Sequence, residues 1–199
     1  MSHPPVHRLI FIGPQGSGKS TQAQIWAAQL NVPRLCSGEL IRQEMSLGTE
    51  MGLRVTTLMH EGQLLSDEDV EHLLFSKLAA AHAHGWILDG YPRRVSQARK
   101  LWQHFLPTRI IEFAVPDEIC IARLTQRRVC AKNHIYHLTN TPPQVDGICD
   151  VDGLPLTQRD DDKPKAITER LKQYHRETEP ALRWMQQQER PSLWHTPCD

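Results

Sequence analysis

The chain has 199 residues, with 23 basic and 23 acidic side chains, so its formal net charge is zero. This length suits one domain with a substantial core, and the balanced charge argues against nucleic acid or a membrane surface as a partner. No apolar run approaches the roughly 18 residues of a transmembrane helix, and residues 1–8 carry no signal-like apolar segment. The five cysteines are an odd number, so we expect reduced thiols and a cytoplasmic protein.

Strand-like and helix-like segments alternate along most of the chain. Such alternation predicts an α/β fold, with a parallel sheet flanked by helices on both faces. Ser66 followed by Asp69 resembles a capping box and predicts the start of a helix. The predicted strands are residues 9–12, 34–36, 86–89, 109–115 and 192–196. The predicted helices are residues 20–30, 67–83, 96–105, 117–127 and 163–187.

Two segments break this alternation. The pattern of residues 37–65 indicates two short helices, broken at Gly48 and Gly62. Residues 128–159 are rich in Pro, Gly, Asn and Asp and include a short β-like segment at 134–138. Stretches this long without regular structure are uncommon in a compact domain unless they form a lid or subdomain. We interpret both as insertions over the face of the core that carries the glycine-rich segment at 13–20. The core then comprises residues 1–36, 66–127 and 160–199.

Residues 13–20 read Gly-Pro-Gln-Gly-Ser-Gly-Lys-Ser, between a predicted strand and a predicted helix. This spacing and context indicate a phosphate-binding P-loop. Its glycines let backbone N–H groups converge on an anion, and the helix N-terminus adds the positive end of its dipole. Lys19 supplies a charge for the β- and γ-phosphates, and Ser20 can hold Mg²⁺. The motif therefore predicts binding of a nucleoside triphosphate with Mg²⁺.

Beyond this motif, arginines occur where predicted elements end and in the insertions. No Ser–His or Cys–His pattern of a nucleophile with its base accompanies them. A phosphate acceptor is already anionic and needs no base, so positioning and charge neutralisation would carry the reaction. Asp89 ends an apolar strand and resembles a Walker-B carboxylate that acts on Mg²⁺. Arg123 and Arg127, four residues apart, are predicted to share one helix face. The arginines concerned are Arg42, Arg93, Arg123, Arg127, Arg159 and Arg170.

These motifs together resemble the adenylate kinase family over nearly the whole chain. The P-loop at 13–21 is its first motif, residues 37–42 resemble its AMP-binding segment, and residues 61–67 resemble the end of that segment. Asp-Gly-Tyr-Pro-Arg at 89–93, with Gln97 four residues on, is its most specific signature. Residues 123, 127–128, 135–137, 142–143 and 159–162 resemble its long lid. The resemblance implies a P-loop NTPase-type core and the reaction MgATP + AMP ⇌ 2 ADP.

The resemblance also implies a role for each matching residue, with Arg123 stacking on the adenine of ATP and Gln97 reading the adenine of AMP. Arg94 adds a second arginine to the signature, and the sequence assigns it no role. The implied ATP-binding residues are Gly16, Ser17, Gly18, Lys19, Ser20, Thr21, Arg123, Arg127, Ile135 and Tyr136. The implied AMP-binding residues are Ser37, Arg42, Gln63, Leu64, Leu65, Gly90, Tyr91, Pro92, Arg93, Gln97, Arg159 and Arg170. The implied catalytic residues are Lys19, Asp89, Arg93, Arg127, Arg159 and Arg170.

The lid carries two candidate metal-binding turns, Cys130 with His134 and Cys149 with Asp152. Paired ligands of this kind suit tetrahedral Zn²⁺ in a structural role. Zinc-bearing lids of the family usually have Cys-x₂-Cys, whereas this chain has Asn133 at the second position and His134 one residue later. A metal-free lid is the alternative, and His137 is a second candidate for the fourth ligand.

Two other functions remain open from the sequence. One is a neighbouring nucleoside monophosphate kinase that uses GTP or accepts UMP or CMP. The other is a non-catalytic nucleotide-binding regulatory protein, which would not need Lys19, Asp89 and the arginines together. We expect a monomer whose partners are the small molecules ATP, AMP and ADP.

Overall fold

The computed structural model describes residues 6–60, 66–188 and 192–197. Its strands are β1 (Arg8–Ile12), β2 (Arg34–Cys36), β3 (Trp86–Asp89), β4 (Arg109–Ala114), β5 (Arg127–Val129), β6 (Ile135–His137) and β7 (Ser192–Pro197). Its α-helices are α1 (Lys19–Leu30), α2 (Ser37–Leu47), α3 (Glu50–His60), α4 (Asp67–Ala81), α5 (Val95–His104), α6 (Asp117–Thr125), α7 (Pro164–Gln173) and α8 (Glu179–Gln186). No helix in these ranges has the length and apolarity needed to cross a membrane.

Five strands form one parallel sheet in the order β2-β3-β1-β4-β7. The central strands are apolar without alternation, as expected where helices cover both faces of a sheet. Ile10, Trp86 and Leu88 pack in one core with α4, α5 and α8. Leu9 and Phe11 point to the other face, where α1 packs. These features confirm the predicted α/β class, with a parallel sheet flanked by helices.

The first insertion holds two helices, as predicted. α2 follows directly from β2, at the carboxyl end of that strand, and stops at Gly48, which adopts a left-handed conformation with φ of +63°. α3 follows, and the predicted break at Gly62 lies outside the described residues. Ser66 then caps α4: its hydroxyl accepts a hydrogen bond from the Asp69 backbone N–H at 3.1 Å, as the capping pattern predicts.

The second insertion begins with an antiparallel pair, β5 and β6. Isolated bridges, Val129 with Thr157 and Ile148 with Pro155, hold the rest of this segment against the pair. A small apolar cluster fills its interior. Its members are Cys130, Tyr136, Cys149, Leu154 and Leu156. The segment is therefore a small folded unit, with its own core, and not an irregular loop.

Two predicted helices differ from the structure. α6 ends at Thr125, and Arg127 begins β5 opposite His137, so the prediction that Arg123 and Arg127 share a helix face is wrong. The predicted helix at 163–187 is divided, because a π-helical segment, Tyr174–Thr178, separates α7 from α8. Pro180 lies in the first turn of α8 and has no N–H to continue an α-helical ladder, which accounts for the irregularity before it.

Candidate active site

A cleft opens at the carboxyl ends of β1, β2 and β3. The P-loop leaves β1 there, α2 leaves β2, and the Asp89–Arg93 signature leaves β3. Open parallel sheets bind ligands at this edge, where connections leave a central strand in opposite directions. The cleft contains thirteen of the residues implied by the resemblance. They are Gly16, Lys19, Ser20, Ser37, Arg42, Asp89, Gly90, Tyr91, Pro92, Arg93, Arg127, Arg159 and Arg170.

The P-loop is shaped by its glycines and packs closely on α6. Gly16 has a φ of +87°, and a Cβ there would lie 2.8 Å from the carbonyl oxygen of Cys120. Lys19 begins α1, and its Nζ donates a hydrogen bond to the carbonyl of Pro14 at 2.9 Å. Burial lowers the pKa of Lys19 to about 8, although the Asp89 carboxylate partly opposes this. The charged ammonium is therefore short of counter-charge, which the phosphates of a nucleotide would supply.

The cleft also concentrates arginine side chains. Burial lowers the pKa of Arg93, Arg159 and Arg170. Arg127 lowers the pKa of both Arg159 and Arg170 further, by charge repulsion. Five arginines from different elements thus surround the space in front of Lys19. Such a concentration of positive charge around one cleft favours bound anions, so the cleft is suited to several phosphate groups.

Two neighbouring aspartates pair with two of these arginines, Arg127 and Arg170. Asp162 is fully buried and accepts hydrogen bonds from Nε of Arg127 at 2.8 Å and Nη2 at 2.6 Å. Asp161 is half-exposed, and one of its carboxylate oxygens lies 3.0 Å from Nη1 of Arg170. The sequence analysis gave neither aspartate a role, although both belong to the 159–162 lid motif. Their function depends on contacts with residues distant in the chain.

Asp89 lies at the end of β3 and is buried. One oxygen of its carboxylate accepts a hydrogen bond from Nη1 of Arg34 at 3.0 Å. Ser20 lines the same cleft. A carboxylate and a hydroxyl are ligands suited to Mg²⁺, directly or through water. The sequence analysis missed Arg34, which orients Asp89 across two paired strands.

A second, more apolar cleft adjoins the first. Ile41 of α2, Val70 of α4 and Gln97 of α5 line it, and it shares Ser37, Arg42, Gly90, Tyr91, Arg93 and Arg170 with the first cleft. The Ser37 hydroxyl and Nε of Arg93 each donate to the carbonyl of Gly90 at 2.9 Å. This arrangement fits a nucleotide with its base in the apolar cleft and its phosphate at the arginines. The predicted residues Gln63, Leu64 and Leu65 lie outside the described ranges.

Six of the ten residues implied for ATP line neither cleft as the described residues define them, three of them in the P-loop and at the start of α1 and three elsewhere. Nη1 of Arg123 is 3.3 Å from the carbonyl of Ser17, so this guanidinium lies against the P-loop. Tyr136 is 8% exposed, and its hydroxyl accepts from the Asp150 backbone N–H at 2.7 Å inside the lid. Ile135 is exposed on the lid surface. The P-loop residues Ser17, Gly18 and Thr21 remain at the start of α1.

The lid brings Cys130, His134, Cys149 and Asp152 together, with their ligand atoms within 4.8 Å of one another. Nδ1 of His134 is 3.4 Å from each sulfur and 3.1 Å from Oδ2 of Asp152. Metal bonds of about 2.0–2.3 Å at tetrahedral angles put ligand atoms about 3.3–3.8 Å apart, so these separations fit Zn²⁺. Asn133 adopts a left-handed conformation, with φ of +66°, which lets the chain place His134 one residue late.

The fold and site together define a P-loop phosphotransferase with two inserted segments at the nucleotide cleft. A family model described as adenylate kinase matches residues 11–190. The chain belongs to the adenylate kinase family.

Several bacterial adenylate kinases are similar to this chain over most of its length. That of Streptomyces griseus subsp. griseus is 38% identical over 183 residues, which covers 88% of this chain and 84% of that protein. That of Streptomyces coelicolor is 36% identical over 190 residues, covering 91% and 87% respectively. That of Anaeromyxobacter sp. (strain K) is 36% identical over 185 residues, covering 88% and 86%.

Proposed function

We propose that this chain is an ATP:AMP phosphotransferase, which catalyses MgATP + AMP ⇌ 2 ADP. The proposal rests on two adjoining clefts. The P-loop lines the first, the second is more apolar and suits a base, and the two clefts share Arg42, Arg93 and Arg170. Two nucleotides placed in these clefts direct their phosphates toward the same arginines. Family membership and the names of the relatives support the same activity.

In the proposed mechanism the protein contributes positioning and charge. The P-loop N–H groups and Lys19 hold the ATP phosphates, and Arg93 holds the phosphate of AMP. The transferred phosphoryl group would lie among Arg127, Arg159 and Arg170. Their charges stabilise the negative charge of the transition state more strongly when water is excluded. The AMP oxygen is anionic at neutral pH, so no general base is needed. Mg²⁺ bound with ATP neutralises phosphate charge, and Ser20 and Asp89 would hold it.

The two insertions would exclude water from this reaction. We propose residues 37–65 as the AMP-binding insertion and 128–159 as the lid, on a core of 1–36, 66–127 and 160–199. Each is joined to the core beside the cleft, through α2 and β5 respectively. Closure over bound nucleotides is the usual role of such segments, because exposed triphosphate would otherwise be hydrolysed. In this closed form we place Arg123, Ile135 and Tyr136 at the adenine of ATP.

Base selectivity tests the proposal directly. Gln97 offers hydrogen bonds at the base cleft, and a site of this kind rejects a base that leaves them unpaired. We expect kcat/KM for AMP to exceed that for CMP, UMP and GMP by at least about 10²-fold. A coupled assay of ADP formation, with MgATP as donor and each monophosphate as acceptor, measures this. Comparable rates with CMP or UMP would indicate the neighbouring kinase class. The absence of turnover with all four monophosphates would indicate a regulatory protein.

We also propose that the lid cluster binds one structural Zn²⁺ through Cys130, His134, Cys149 and Asp152. The two cysteines are buried, and their separations from His134 match tetrahedral geometry. His137 is the other candidate for the fourth ligand. Its Nδ1 instead accepts a hydrogen bond from the Asn140 backbone N–H at 3.1 Å, within the turn that follows β6. With four protein ligands the ion would have no open position, so it would stabilise the lid and take no part in phosphoryl transfer.

Elemental analysis of protein purified without a histidine tag should find about one zinc per chain. His134→Ala should abolish binding and lower the temperature of unfolding, whereas His137→Ala should retain the metal, because only His134 faces both sulfurs. Chelation should destabilise the wild type in the same way. Less than about 0.2 zinc per chain, with no uptake by the reduced protein, would show that the lid is of the metal-free kind.

We propose further that the protein is a cytoplasmic monomer. Among the described residues, Cys36, Cys130 and Cys149 are present as thiols. This state fits a reducing compartment, and a metal-binding pair of thiols would require it. The partners in this proposal are the nucleotides alone, and a mass measurement in solution tests the monomer.

A further inference from the structure

A polar network at the margin of the base cleft has no part in the mechanism above. Nη1 of Arg94 donates to Oδ1 of Asp67 at 2.7 Å, and its Nε donates to Oε2 of Glu177 at 2.9 Å. Arg94 thereby ties the first turn of α4 to the π-helical segment. Asp67 also accepts from the Ser96 hydroxyl at 2.6 Å and from Nε2 of Gln97 at 2.8 Å. Although partial burial opposes it, these donors hold the pKa of Asp67 below its usual value.

The hydrogen bonds of Gln97 define the orientation of its side-chain amide. Oε1 accepts from the backbone N–H of Arg93 at 2.7 Å, while Nε2 donates to Asp67. A backbone N–H can only donate and an ionised carboxylate can only accept, so rotating the amide by 180° would break both bonds. An amide has two N–H donors and two acceptor lone pairs. These two bonds use one of each, which leaves one donor and one acceptor on a side chain that lines the base cleft.

We propose that Asp67 is a positioning residue for base specificity, which locks the Gln97 amide in the orientation that pairs with adenine and excludes a 6-oxopurine. Adenine presents the N6 amino donor beside the N1 acceptor. Hypoxanthine has nearly the same shape but presents the O6 acceptor beside the N1–H donor. An amide free to rotate would satisfy either pattern, whereas a locked one satisfies a single pattern. This inference rests on the proposed function, in which AMP occupies the cleft beside Gln97.

The experiment compares AMP with inosine monophosphate (IMP) as acceptor, at saturating MgATP. Asp67→Asn gives residue 67 an amide that can donate as well as accept, so turning the Gln97 amide would then break one hydrogen bond, that from the Arg93 backbone N–H, and no longer two. We expect the ratio of kcat/KM for AMP to that for IMP to fall at least about tenfold, with KM for ATP unchanged. The matched control is Asp69→Asn, which makes the same change two residues on, at a carboxylate paired with Ser66 and Arg54. Its ratio should equal that of the wild type.

A purely structural role for Asp67 would weaken AMP and IMP together and leave their ratio unchanged, which would overturn the proposal. Gln97→Ala provides a second test that does not depend on the folding of the Asp67 variant. It should reduce the same ratio, and retention of wild-type discrimination would equally overturn the proposal. The proposed function has a separate outcome, because it fails only if the wild type does not phosphorylate AMP. Thermal unfolding of each variant confirms that native protein is compared.

Discussion

Lys19→Ala should lower kcat by at least about 10²-fold, while the protein remains folded. Lys19 is half-buried at the start of α1, and its ammonium donates a hydrogen bond to the P-loop carbonyl of Pro14. Phosphoryl transfer moves negative charge between phosphate oxygens, so a fixed cation there acts on the transition state. Steady-state kinetics with varied MgATP and AMP measure the effect, and circular dichroism monitors the fold.

Lys172→Ala is the matched control, because its ammonium is exposed and pairs only with Glu169 among the described residues. It should leave kcat within about twofold of wild type. Removal of Lys19 also removes the cost of burying a charge whose pKa has fallen to about 8. The Lys19 variant should therefore unfold no more readily than wild type. Near-normal turnover by Lys19→Ala would contradict the phosphate assignment.

Asp162→Ala should reduce the free energy of unfolding by about 3 kcal/mol, because it leaves the Arg127 guanidinium without its two short hydrogen bonds. For a chain of this size, such a loss lowers the unfolding temperature by about 10 °C. The change should shrink in the presence of ATP and AMP, whose phosphates supply the missing counter-charge. Urea and thermal unfolding with and without nucleotides measure both effects.

Asp161→Ala provides the comparison, since this neighbouring carboxylate is half-exposed and its pairing with Arg170 is screened by water. It should cost less than about 1 kcal/mol. Asp162→Asn keeps an acceptor for Arg127 but loses the charge, so its cost should be intermediate. Equal effects of Asp161→Ala and Asp162→Ala would show that burial of the Arg127–Asp162 pair contributes nothing.

The sheet and the P-loop could be predicted because their signals are local. Each central strand is a continuous apolar run, and the phosphate loop carries glycine, lysine and hydroxyl residues at fixed spacing. The capped start of α4 at Ser66 was predictable for the same reason. In these cases neighbouring residues determine the backbone conformation.

The remaining features depend on contacts between distant parts of the chain. Arg127 has a helix-compatible neighbourhood, but it joins β5 and pairs with Asp162, 35 residues away. Asp67 and Arg94 are 27 residues apart, and no short motif connects them. His134 departs from the common Cys-x₂-Cys spacing, and it joins the proposed metal site after Asn133, whose backbone is left-handed. A single sequence contains these residues but gives no indication of their pairing.

The π-helical segment Tyr174–Thr178 joins α7 to α8 and sets the angle about the helix axis between the residues that these two helices direct inward. Upstream, α7 places Arg170 in the lining of the cleft, and downstream, α8 anchors Leu182 and Met185 in the core. An α-helix turns by about 100° per residue, and a π-helical turn, with its i→i+5 hydrogen bonds, takes in about one residue more than an α-helical turn. Deleting one residue from it would therefore leave a regular helix, with Arg170 and the α8 anchor still nearly in phase. The wide turn thus accommodates a change of one residue in chain length, whereas deleting one residue between Arg170 and this segment would rotate Arg170 by about 100° relative to the anchor.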